Sequence, residues 1–198
     1  MQTLGLSSES KRSDSWFKSL FWPSVENAWD VDYLGQQGMW ICTLVAVSSL
    51  IFSITSGNVV VIFIGVLSAL FYLLGGMGVR QASLMAAAMV FAVYILGTLV
   101  QAVSFEMRSV LRIIFAAVLL SNLRATFLAS QWKPVAEGED RPMRFSETWS
   151  DKFVDQMPAK LWPALQIPFI ILGICMILFT LAAITFFAVQ RFGLMPHR

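Results

Sequence analysis

The sequence is short of charge, of histidine and of cysteine, and each shortage removes a class of function. Charged residues make up 13% of the 198, and 14 Lys and Arg against 12 Asp and Glu leave a formal charge of +2. So small a surplus offers no basic surface to a polyanion, which excludes DNA and RNA as partners. The single histidine, His197, lies one residue from the end of the sequence. A haem held by two histidines, a His-based zinc site and a Ser-His-Asp triad therefore lack their parts. Cys42 and Cys175 both sit inside apolar runs, so neither a secreted disulfide framework nor a CxxC metal or redox site is available. Nothing in the composition calls for a cofactor or a metal.

What is abundant is apolar: 57% of the residues are hydrophobic and the mean hydropathy is +0.70. A helix needs roughly 20 apolar residues to cross a hydrocarbon core of ~30 Å. Five runs meet or approach that length, at Met39 to Thr55, Val59 to Leu74, Ala82 to Val103, Val110 to Leu128 and Ala164 to Phe187. Their continuity, without two-residue alternation, selects helices over barrel strands. The expected fold is all-α: a polytopic integral membrane bundle of about five transmembrane helices, with two amphipathic interfacial helices. The lipid bilayer is its first partner. Ser56, Gly57 and Asn58 should close a tight hairpin between the first two spans, and Gly75, Gly76 and Gly78 should end the second and let the chain reverse. Ala82, Ala86, Ala88, Ala92 and Gly97 give the third span a small-residue packing surface. In the fifth, Pro163 suits a first helical turn and Pro168 should kink the helix or widen its first turn.

Lys and Arg collect on cytoplasmic loops. Five crossings put nine of them on one side, in the N-terminal tail, at Arg80 and in the long loop, against Arg108, Arg191 and Arg198 on the other. The expectation is an N-terminus in the cytoplasm, a C-terminus outside, a bacterial-type inner membrane and no cleavable signal peptide. The chain then divides into a cytoplasmic tail with an interfacial helix (1–37), four spans (38–128), a cytoplasmic loop with a second such helix (129–163) and the fifth span with a short tail (164–198).

Trp16, Phe17, Leu20 and Phe21 give the first interfacial helix its apolar face. Phe145, Trp149, Phe153, Met157 and Leu161, recurring every four residues, give the second. Trp16, Phe17, Phe145, Trp149 and Phe153 are the expected anchors, and the same collar could instead dock a partner. Asp151 and Asp155, four apart, have a spacing that can hold Mg²⁺ against a phosphate. Solvated helix faces produce that spacing by chance.

The sharpest feature is the fourth span, with Arg112, Asn122 and Arg124 inside an apolar run. Arg112, Asn122, Thr126 and Ser130 share one stripe at helical spacing, while Arg124 lies on another face. Arg112 is close enough to the outer boundary to snorkel, whereas Arg124 is about eight residues, or ~12 Å, from Trp132. A central Arg costs about 2.5–3.5 kcal/mol, and no Asp or Glu falls within the five runs to compensate it. Headgroup phosphate, a partner subunit or an anionic ligand remain as candidates. Three functions are compatible with these features. The leading one is a non-enzymatic assembly, anchoring or accessory subunit, bound to a membrane-protein partner or to copies of itself. The alternative is a transporter or substrate-binding component in which Arg112, Asn122 and Arg124 address a polar or anionic solute. A metal-dependent lipid-phosphate enzyme using Asp151 and Asp155 is the minor one.

Overall fold

A computed structural model describes residues 24–25, 28–103, 110–131 and 152–191. They form five long helices: α1 Ala28–Thr55, α2 Val59–Arg80, α3 Leu84–Val103, α4 Val110–Ser130 and α5 Met157–Arg191, the last preceded by a π-helical turn Lys152–Gln156. All five are long and apolar enough to cross a membrane. Trp16, Phe17, Phe145, Trp149 and Asp151 lie outside the described residues, and with them the N-terminal interfacial helix and most of the second.

α1 and α2 form the most extensive pair; α4 packs on α1, α3 joins α2 to α4, and α5 lies along α3 and α2. Four helices thus close a ring, with α5 on its outside. The hairpin turn at 56–58 is built as its sequence suggests. Gly57 takes φ +65°, and the Asn58 side chain accepts hydrogen bonds from the N–H groups of Val60 at 2.9 Å and Val61 at 3.4 Å, capping α2.

The boundaries depart from expectation at three places. α1 starts at Ala28 rather than near Met39, so residues 28–38 belong to the helix and not to a tail. Val31 and Leu34 are buried against Ala125 of α4, while Asp30, Asp32, Gln36 and Gln37 dilute the other positions, and an apolar-run criterion misses a helix of that make-up. Two carboxylates thereby enter the first candidate span, Asp30–Thr55, contrary to the expectation of none.

Gly75, Gly76 and Gly78 do not end α2. They lie within it, where the absence of a side chain lets neighbours close in. A Cβ on Gly76 would stand 3.0 Å from the Cβ of Cys42, and one on Gly78 would meet Ala86 at 2.5 Å and the Trp162 ring. The reversal falls instead at residues 81–83. The Ser83 N–H donates to the Gly78 carbonyl and the Ala82 N–H to Val79, both at 3.0 Å, with Ala82 at φ +52°. This is a Schellman cap carrying alanine where glycine is favoured. Ala82 is therefore outside α3, and of the expected small-residue stripe only Ala86 is fully buried; Ala88 is exposed.

α5 begins at Met157 and takes in both Pro163 and Pro168. Its 35 residues reach about 52 Å at 1.5 Å per residue, so the part of the second interfacial helix that is described runs on into the fifth span. Val154, Pro158, Trp162 and Phe169 give its buried stripe, whereas Met157 and Leu161 stay exposed. Phe153, among the expected anchors, is half-buried with its ring 6.4 Å from that of Trp40.

Candidate functional site

The two ends of the ring differ. Towards the start of α1 the helices are packed tightly. There the Arg80 guanidinium, its side chain 5% exposed, is paired with the Asp32 carboxylate and also donates to the Asp32 carbonyl at 3.1 Å. Arg80, expected in a loop, is the last residue of α2 and is buried. Gly38 lies against Val79 and Asn122, where a Cβ would come within 2.7 Å and 3.2 Å of their side chains. An aromatic ladder continues the packing, with ring centres 5.5 Å apart for Trp162 and Phe169, 5.2 Å for Phe169 and Phe71, and 5.3 Å for Phe71 and Tyr72.

Beyond Tyr72 the helices open on one side, while Gly65 still packs against Ser53 between α1 and α2. A cavity of about 380 Å³ lies between them, in the range of small-molecule sites, and all five helices line it. Its floor is Tyr72, Val93 and Phe115, and its walls carry Ser48, Ser49, Ser68, Thr98 and Thr180. Gly97 also lines it, and a Cβ there would meet nothing within 4 Å. Arg112 is the charged residue among the described residues of the lining. The Tyr94 hydroxyl donates to the Arg112 carbonyl at 3.3 Å and ties α3 to α4 at that level. Gly38 meets Asn122 lower down, and ten residues along the two antiparallel helices from that contact Ser48 comes level with Arg112. Ser48 is seven residues, about 10 Å, short of the end of α1. Arg112, the third residue of α4, is half-buried and lines the cavity.

The hydroxyls divide into two groups. Those of Ser48, Thr98 and Thr180 donate to carbonyls of their own helices at 2.8–3.0 Å. Those of Ser49, Ser68 and Tyr72 have no hydrogen-bond partner among the described residues, and neither has the Arg112 guanidinium.

Of the three binding residues expected from the sequence, the structure brings only Arg112 to the cavity. Asn122 is 1% exposed in the packed half, and neither its amide oxygen nor its nitrogen has a hydrogen-bond partner among the described residues; the buried Ser121 hydroxyl lacks one as well. Arg124 is half-buried two residues further on, also outside the cavity lining. The serines, Tyr72 and Tyr94 leave no signal in the sequence because each is unremarkable on its own helix and gains meaning only from the shared level. Asp151 and the Asp155 side chain fall outside the described residues, so the metal spacing has no geometry to report. Family models, curated proteins and solved structures give no match to the chain, and the site stands on its own geometry.

Proposed function

We propose that this is a non-enzymatic integral membrane protein that holds a polar or anionic ligand between its helices, the substrate-binding role among the three that its sequence allows. The observation that carries it is the Arg112 guanidinium, facing a cavity of about 380 Å³ without a hydrogen bond among the described residues. A charge among apolar helices is costly in a membrane and is kept where a ligand or partner offsets it. With Arg80 neutralised by Asp32, the loop and tail bias still stands at eight Lys and Arg against three. We therefore propose a bacterial-type cytoplasmic membrane, the packed half towards the cytoplasm and the C-terminus outside.

A separate observation favours the accessory-subunit role alongside it. At about 52 Å, α5 exceeds the ~30 Å hydrocarbon core and reaches beyond what a crossing needs.

Native mass spectrometry of gently purified protein tests the ligand-binding role, with Gly97→Leu beside the parent. The substitution fills the cavity and removes no polar group. A co-purifying species is expected on the parent and absent from Gly97→Leu. Equal occupancy in both would show that the cavity is not the site.

A further inference from the structure

The cavity also specifies what it takes, a reading that rests on its being a ligand site. We infer that the ligand is a monoanionic amphiphile: one carboxylate or one phosphodiester joined to an apolar body.

Charge sets the first condition. Among the described lining residues Arg112 is the charged side chain and no carboxylate joins it, so these walls carry a single positive charge. In a low-dielectric surrounding one negative charge balances it. A dianion leaves an uncompensated charge, a cation is repelled, and a neutral molecule leaves the guanidinium as it is.

Hydrogen bonding sets the second. The guanidinium brings five N–H donors and no acceptor, and Ser49, Ser68 and Tyr72 have uncommitted hydroxyls, while Ser48, Thr98 and Thr180 have already given their protons to the main chain. Even with the Gln101 amide in the lining, which brings an acceptor as well as donors, the N–H and O–H donors outnumber the amide acceptor, and such a site favours a group rich in acceptors. A carboxylate and a phosphodiester each present two free oxygens that match the planar fork of arginine.

Shape sets the third. Val45, Val93, Phe115 and Met176 give the lining an apolar wall, and Leu111, 53% exposed, marks a rim continuous with the outside of the bundle. An inorganic anion would fill only the neighbourhood of Arg112. An attached apolar chain covers the remaining wall and leaves past Leu111.

Two sources share this chemistry, a free fatty acid and a membrane phospholipid, and the test separates them. The full chain in phosphatidylcholine nanodiscs is titrated with oleate and with lysophosphatidylglycerol. Oleyl alcohol serves as the neutral amphiphile and inorganic phosphate as the bare anion, with occupancy read by native mass spectrometry. At least one of the two anionic probes should bind about tenfold more tightly than the alcohol, the low end expected for a charge-assisted hydrogen bond. Arg112→Gln should abolish that preference, and Arg112→Lys should retain part of it. Preference for oleate assigns a fatty acid, and preference for lysophosphatidylglycerol assigns a phospholipid.

Equal binding of alcohol and anions, lost in Gly97→Leu, would overturn the monoanion and keep the cavity as a site. Competition by inorganic phosphate as effective as by oleate would overturn the amphiphile. Probe occupancy unchanged in Gly97→Leu, or no occupancy by any probe, would overturn the cavity itself.

Discussion

Between Asp32 and Phe71 the helices meet side chain against bare backbone, whereas beyond Tyr72, where Gly65 against Ser53 still holds α1 to α2, all five helices line a cavity. Glycine is a contact surface throughout the first half and, in the second, at Gly65 but not at Gly97. Gly38, Gly75 and Gly78, and Gly65 beyond Tyr72, have neighbours where a Cβ would sit, and Gly97 has none. Association of helices in lipid depends on close packing, because the hydrophobic term that drives it in water is gone. The packed half therefore holds the bundle together, and the open half is free to keep polar groups for something else.

The packed half breaks most easily at Asp32. Asp32→Asn leaves the Arg80 guanidinium buried without its carboxylate, and a loss of about 3 kcal/mol in unfolding free energy is expected from SDS titration in mixed micelles. Adding Arg80→Gln to that variant should recover more than half. A single-variant loss under about 0.5 kcal/mol, the size of an exposed pair, would mean that the charges do not secure this half.

Glycine gives the most direct contrast. Gly78→Ala forces a methyl against Ala86 and Trp162 and should cost about 1–3 kcal/mol. Gly97→Ala enters open space on a helix and should gain about 0.5–1 kcal/mol. The same change thus carries opposite signs at two sites, and matching signs in thermal unfolding would erase the distinction between the halves.

Asn122 sharpens the contrast from within the packed half. Its amide is buried against Gly38 without partners among the described residues, so the near-isosteric Asn122→Leu should stabilise the protein by about 1–2 kcal/mol. Destabilisation in the same titration would show that the amide is satisfied in the membrane. The smallest effect belongs to Ala82, whose left-handed backbone favours glycine. Ala82→Gly should raise stability by about 0.5 kcal/mol in thermal unfolding.

The five helices are legible in the sequence because long apolar runs, four of them charge-free, have one stable form in hydrocarbon. Their ends are less so. The first eleven residues of α1 mix Val31 and Leu34 with Asp30, Asp32 and two glutamines, and hydropathy averages such a segment away. Gly75, Gly76 and Gly78 read as a helix stop because glycine serves both as a terminator and as a contact surface, and only the partner helices decide which. Arg112 is legible as a charge out of place. The cavity is not, since a void is a property of several helices at one level and leaves no mark in the pattern of any single one. The Asp32–Arg80 pair is within reach: each residue lies 24 positions from Ser56 at the hairpin turn, and antiparallel helices bring equidistant positions together.

That equidistance bears on how the chain enters a bilayer. The contact needs only α1, the turn and α2, which are consecutive in the sequence, so it forms as soon as this hairpin closes and before α3 to α5 are required. During synthesis the N-terminal part of a chain is available to fold first. Arg80 would otherwise meet the membrane as a bare cation at the end of a hydrophobic segment; with Asp32 beside it, the hairpin is delivered as a charge-compensated unit. The order of emergence from the ribosome thereby shields the most expensive side chain of the packed half before the rest of the protein exists.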